Sequence, residues 1–217
     1  MGIPLIFITL SCLFSGARSL SCYQCMPDGT GPCKDTKMDC PPTTQCGNLR
    51  VATFAGGQAV SDMAIKSCVV PQQCIVGSYN VGMMKTVINS KCCTEDNCNI
   101  ETVEASTGGP NGKECHTCIG SDCSSKLKCE GVEDRCLIAK LDGGGEKMTV
   151  KGCASKSICT GQMKDQLGQA LGDMTCCEGN LCNGDKSKTR SGTSSGEVNR
   201  NSITIMVLSI ACFLFLH

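Results

Sequence analysis

Two dense apolar runs bracket the chain, residues 3–14 (IPLIFITLSCLF) and residues 203–216 (ITIMVLSIACFLFL). Between them the apolar residues are sparse, and where they show a period it is mostly two. Leu49, Val51 and Thr53 alternate ahead of Gly56-Gly57, and the chain then returns towards Cys68. Period-two patterning about a glycine turn predicts a β-hairpin over 47–67. Residues 137–152 repeat the arrangement around Gly143-Gly144-Gly145, with Met148 and Val150 alternating on the return. In residues 160–175 the spacing of Met163, Leu167, Ala170 and Leu171 is partly helical, and Gly168 and Gly172 limit it to a short helix.

The two apolar ends read as processing signals. The first run precedes Ser15-Gly16-Ala17-Arg18-Ser19, which puts the small residues Ala17 and Ser19 at the −3 and −1 positions of a cut before Leu20. A secretory signal peptide over 1–19 is the expectation, the alternative being a buried N-terminal helix. The second run holds 14 residues and only His217 follows it. As a helix it spans about 21 Å, short of the roughly 30 Å bilayer core. Ahead of it lie Ser191-Gly192-Thr193 and a polar spacer over 194–202. A small triplet, a polar spacer and a short apolar tail form the grammar of a glycosylphosphatidylinositol (GPI) signal. The lipid is expected on Ser191 (or Gly192, Ser194 or Ser195), with 184–191 as stalk and 192–217 removed; a short spanning helix is the alternative.

Composition changes the picture most through cysteine. Twenty of the 22 cysteines lie between residues 22 and 182 of the 217. That density reads as a disulfide scaffold from an oxidising compartment. The cysteines fall into two matched sets of ten. Cys22, Cys25, Cys33, Cys40, Cys46, Cys68, Cys74, Cys92, Cys93 and Cys98 form the first; Cys115, Cys118, Cys123, Cys129, Cys136, Cys153, Cys159, Cys176, Cys177 and Cys182 form the second. Each set opens on CxxC and closes on CCxxxxCN, ending at Asn99 and Asn183, so one unit is written twice. Residues 100–114 (IETVEASTGGPNGKE) join them, and their Gly-Gly-Pro-Asn-Gly core predicts a mobile linker.

Lys plus Arg and Asp plus Glu number 20 each, without a run of like charge, so nucleic acid is an unsupported partner. Between the ends the aromatics are Tyr23, Phe54 and Tyr79. Cross-links must therefore replace an aromatic core in units of this size.

The opening Leu20-Ser21-Cys22-Tyr23-Gln24-Cys25, the ten-cysteine order and the closing CCxxxxCN resemble the lymphocyte-antigen-6/urokinase-receptor (UPAR/Ly-6) family of three-finger domains. The resemblance covers about 22–99 and 115–183. It implies an all-β, small, disulfide-rich chain of two tandem three-finger (snake-toxin-like) domains, the first over 20–99 and the second over 115–183. For the first domain it implies the bridges Cys22–Cys46, Cys25–Cys33, Cys40–Cys68, Cys74–Cys92 and Cys93–Cys98. For the second it implies Cys115–Cys136, Cys118–Cys123, Cys129–Cys153, Cys159–Cys176 and Cys177–Cys182. Asn99 and Asn183 match the family's terminal Asn, a structural residue that locks the end of each domain to its palm. Tyr23 falls on a packing position. Three hairpins tied at one end leave their tips free to vary, and loops on a rigid frame are where recognition usually sits.

The CxxC motifs also raise a dithiol redox site, above all Cys115-His116-Thr117-Cys118. Such a site needs those two cysteines bonded to each other, and the family's pairing sends them elsewhere. Zinc meets the same objection, because bridged cysteines have no thiolate to give. Outside the tail His116 is the only histidine, a poor basis for a Ser or Cys nucleophile. No catalytic residue, metal or cofactor is expected, and no Asn-x-Ser/Thr sequon occurs.

Phe54, Tyr79, Met83 and Met84 are the candidate partner contacts, since aromatics and Met at loop tips are favoured at interfaces; the alternative is that they cover the small core between hairpins. The expected function is a non-catalytic, GPI-anchored cell-surface protein presenting finger loops to an extracellular or cell-surface protein. A secreted two-domain inhibitor of secretory phospholipases is the alternative. Urokinase binding is not carried over, because that receptor's cavity takes three such domains and this chain has two.

Overall fold

The computed structural model describes residues 19–27, 34–119, 121–143, 146–161, 164–165 and 173–184. The helical pattern expected over 160–175, the residues past 184 and residues 1–18 lie wholly or mostly outside it. Among the described residues no helix is long and apolar enough to cross a membrane.

Three hairpins build the first unit. β1 (Ser21–Gln24) pairs with β2 (Thr36–Asp39), β3 (Gln45–Ala55) with β4 (Gln58–Val69), and β5 (Val76–Asn80) with β6 (Met84–Cys93). Gly56 at φ 57° and Gly57 at φ 79° make the second turn, the double positive φ whose twist matches the flanking strands. The second unit follows the same plan. β7 (Pro110–Ile119) pairs with β8 (Asp122–Glu130), β9 (Arg135–Gly143) with β10 (Glu146–Ala154), and β11 (Asp173–Cys177) lies against β9. A helical turn, α1 (Lys156–Cys159), stands where the first unit has the 3-10 turn Pro71–Gln73.

Both sequence hairpins are present, with one difference of organisation. The fingers of the two units belong to one sheet, ordered β11-β9-β10-β5-β6-β3-β4. Its shared apolar face carries Val51, Tyr79, Met84 and Ile88 from the first unit against Leu137, Ala139, Ala154, Ile158 and Met174 from the second. β5 and β10 meet at Cys153 opposite Asn80 and Ala154 opposite Tyr79, which sets the palm of the second unit at the level of the third fingertip of the first.

Bridges tie each unit. They join Cys22–Cys46, Cys40–Cys68, Cys74–Cys92 and Cys93–Cys98 in the first unit. In the second they join Cys115–Cys136, Cys118–Cys123, Cys129–Cys153, Cys159–Cys176 and Cys177–Cys182. Cys25 is bridged as well; Cys33, its expected partner, lies outside the described residues.

The linker corrects the sequence reading. Strand β7 begins at Pro110, inside the stretch expected to be free, and residues 100–107 are strapped along the first unit. Lys66 and Arg50 donate to the carbonyls of Ile100 and Val103, at 2.7 and 3.2 Å. Asn89 and Lys85 hold those of Glu104 and Thr107, at 2.7 and 3.1 Å. Composition predicted freedom because it registers Gly and Pro; the tethers come from side chains of β3, β4 and β6, far away in sequence.

Candidate functional site

Each palm closes on an asparagine amide. Asn99 accepts from the Tyr23 amide at 2.9 Å and donates to the carbonyls of Tyr23 and Gly47 at 2.8 and 3.0 Å. Asn183 accepts from the His116 amide at 2.8 Å and donates to the carbonyls of His116 and Leu137 at 2.9 and 3.0 Å. The turns ahead of them match as well: Asn97 and Leu181 both sit at φ 55° and donate to Ser21 and Glu114 carbonyls. These groups bind the chain to itself, a structural role.

The fingertips are where the sequence placed recognition, and here two of its four candidates move. Tyr79 is 2% exposed and Met84 7%, both inside the core shared by the units. They are therefore core residues and not contact residues, because the third finger of the first unit is covered by the second unit. Burial pushes the Tyr79 hydroxyl above the ordinary tyrosine value, partly offset by a hydrogen bond with Thr86. Phe54 is half-buried beside the Gly56-Gly57 turn. Met83 remains outside at 49% exposure, and Val60, on the strand leaving the second tip, reaches 56%. Residues 51–61 and 67–84, which carry these tips, contain no charged side chain. The second unit adds Ile119 at its first tip and Met148 on its second finger, both exposed.

Where the units meet, the backbones approach without room for side chains. A Cβ on Gly152 would lie 2.0 Å from the Asn80 carbonyl oxygen. The Ser155 amide donates to the Ser78 carbonyl at 2.9 Å, and the Ser78 amide donates to Ser155 Oγ at 3.1 Å. Thr117 Oγ1 donates to the Val81 carbonyl at 2.9 Å, fixing the third fingertip to the first finger of the second unit.

An ionic cluster lies behind this contact. Lys85 Nζ of β6 sits 2.5 Å from Glu130 Oε2 and 3.6 Å from Glu133 Oε1. Glu133 is fully buried; Ser78 Oγ donates to its Oε1 at 3.0 Å, and the Glu130 amide donates to its Oε2 at 2.9 Å. Burial pushes the Glu133 carboxyl above the ordinary glutamate range. The Glu130 amide, Lys85 and Ser78 pull it back, while the Glu130 carboxylate adds to the rise. Nothing in the sequence reading found this cluster. Its one trace there is that Lys85 ends an uncharged run of 18 residues.

Three sulfurs gather at Cys22, Cys40 and Cys68, and again at Cys115, Cys129 and Cys153. Every one of them is in a disulfide, so the clusters are crossings of bridges and hold no thiolate for a metal. Cys115 and Cys118 are bonded to Cys136 and Cys123, which removes the dithiol that redox chemistry would need.

Comparison with known proteins follows the two units. The u-PAR/Ly-6 domain family matches residues 18–101, and the snake toxin and toxin-like protein family matches residues 114–183. The urokinase plasminogen activator surface receptor of Mus musculus is 36% identical over 105 residues, 43% of this chain and 32% of the receptor. Ly6/PLAUR domain-containing protein 3 of Rattus norvegicus is 28% identical over 211 residues, 80% of this chain and 57% of that protein. A phospholipase A2 inhibitor of Elaphe climacophora, of the gamma type, is 37% identical over 78 residues, 31% of this chain and 39% of the inhibitor chain. The chain thus spans from 32% to 57% of the length of these relatives.

Proposed function

Because the chain belongs to the Ly-6/uPAR family of tandem three-finger domains, we propose that it is a non-catalytic binding protein of the cell surface, held by a GPI lipid at Ser191 or a neighbouring small residue. It presents fingertips to an extracellular protein. The observation that carries this reading is the pair of exposed apolar side chains, Val60 and Met83, on uncharged tips of a cross-linked frame. An exposed apolar side chain on a rigid support loses little entropy on docking, which lowers the cost of binding. The binding face is narrower than the sequence suggests, since the third finger is partly used inside the molecule.

A second reading, a secreted inhibitor of phospholipases, is favoured by the likeness to the phospholipase A2 inhibitor. One experiment separates the two. Tagged chain on intact cells is treated with phosphatidylinositol-specific phospholipase C, and released protein is assayed. Release supports the anchored reading; abundance in the medium before treatment favours the inhibitor. The released protein, as a labelled multimer, should stain partner-bearing cells. Val60→Asp with Met83→Asp should weaken that staining about thirtyfold, the scale of a 2 kcal/mol hot spot. Undiminished staining would move the site off these tips.

A further inference from the structure

Two carboxylates and one ammonium meet at the junction of the units. Lys85 is 8% exposed and Glu133 is 0% exposed. The ammonium stands at 2.5 Å from Glu130 and at 3.6 Å from Glu133, so Glu130 has the closer ion pair. The direct hydrogen bonds to Glu133 come from the neutral Ser78 hydroxyl and Glu130 amide. The ownership of these groups matters. Ser78 and Lys85 belong to the first unit, Glu130 and Glu133 to the second, so the cluster exists only while the units are together.

We propose that this cluster makes the junction an acid-tightened latch: closing it takes up a proton on the Glu133 carboxyl, so the units grip each other more firmly as pH falls. The proton needs no rearrangement of heavy atoms. Ser78 Oγ, which donates to Glu133 Oε1 at 3.0 Å, is a hydroxyl that rotates to accept instead. Oε1 then carries the proton and donates, and Oε2 goes on accepting from the Glu130 amide at 2.9 Å. The site is left with a neutral acid beside a balanced Lys85–Glu130 pair.

Among the described residues, the neighbouring charges are engaged elsewhere. On its own segment Asp134 accepts from the Lys156 amide at 2.7 Å and pairs with Arg135 at 2.9 Å, while Arg135 also reaches Glu178 at 2.6 Å. Strand β5 contributes the neutral Ser78, and Asn111 donates to the Glu133 carbonyl at 2.9 Å. β6 brings Lys85, β8 brings Glu130, and the linker adds the Thr107 carbonyl on Lys85.

The sign follows from linkage. Burial raises the Glu133 value in the closed form, while an open junction returns the carboxyl to water and the ordinary range near about 4.3. The closed form therefore holds a proton at pH values where the open form has lost it. Closure gains as pH falls through the raised value, and the gain levels off near the ordinary one.

Hydrogen exchange of the full chain, disulfides intact, tests this from about pH 4, the ordinary glutamate range, upward to neutrality. The amides of Ser78 and Ser155 are bonded across the junction, and those of Tyr23 and Asn97 lie in a palm. After correction for intrinsic rates, junction protection should rise by up to about tenfold per pH unit on acidification, with palm protection constant. Glu133→Gln should be flat and hold the native low-pH value. Lys85→Met, which leaves two carboxylates unopposed, should move the rise to higher pH. A flat native profile overturns the latch, as does one that follows the palm amides. So does a native slope in Glu133→Gln or an unmoved profile in Lys85→Met. The native profile decides even if a variant does not fold.

Discussion

The two units share one cysteine frame and treat the same strand edge in opposite ways. In the first unit the edge of β4 is closed near the palm by the first finger, through two bonds of 2.9 Å between Cys25 and Lys66. Further out it carries Asp62, held by Arg50 at 2.6 Å, and a bulge at Thr53/Phe54 interrupts its pairing with β3. A charge and a bulge are ordinary defences of an exposed edge. In the second unit the corresponding edge, that of β10, admits β5 at Asn80. The residue before the shared cysteine is Ser67 in the first unit and Gly152 in the second. The missing Cβ at Gly152 is one of the differences that let a strand join the second edge.

The largest effect should come from the palm amides, where the units look most alike. Asn183→Ala leaves several buried backbone groups without partners and should cost about 4 kcal/mol; Asn99→Ala should cost about 3 kcal/mol, both read by denaturant unfolding with disulfides intact. Asn183 Nδ2 also reaches the Gly152 carbonyl at 3.5 Å. Only its loss should therefore expose the junction amides to exchange, and equal behaviour of the two variants would erase the distinction.

Next comes Gly152→Ser, which writes the first unit's residue into the second. With a Cβ placed 2.0 Å from the Asn80 oxygen, the junction should part at a cost of about 3 kcal/mol. The reverse change, Ser67→Gly, should cost no more than about 1 kcal/mol and leave the junction protected. The smallest effect is a gain. Leu181 holds the left-handed conformation that Asn97 holds in the first unit, and Asn tolerates it better than Leu. Leu181→Asn should raise stability by up to about 1 kcal/mol; a loss would mean that the leucine's packing outweighs its backbone strain.

Legibility in the sequence followed locality. The repeat, the finger around Gly56-Gly57 and its counterpart over 137–152 were readable, because alternation and turn glycines are local signals. The bridge pairing came with the family resemblance and not from spacing. What stayed hidden depends on contacts between distant stretches. Gly152 reads as any strand glycine until Asn80 is beside it. Glu133 reads as one more surface acid until Ser78 and Lys85 cover it. Tyr79 and Met84 had the chemistry of contact residues and were used inside the molecule. Nothing local marks Arg50 and Asn89 as the residues that hold the linker.

The strap over residues 100–107 has a mechanical consequence. It runs from the palm of the first unit towards the fingertips, where the second unit begins, so it lies parallel to the β5–β10 contact. A pull that draws the two palms apart along the fingers loads the strap's tethers and the junction's bonds side by side. Antiparallel strands pulled lengthwise share the load among all their bonds, whereas a sideways pull opens them one at a time. Strap and junction therefore take such a pull together, and a tug on one unit is passed to the other as displacement instead of being absorbed by slack chain.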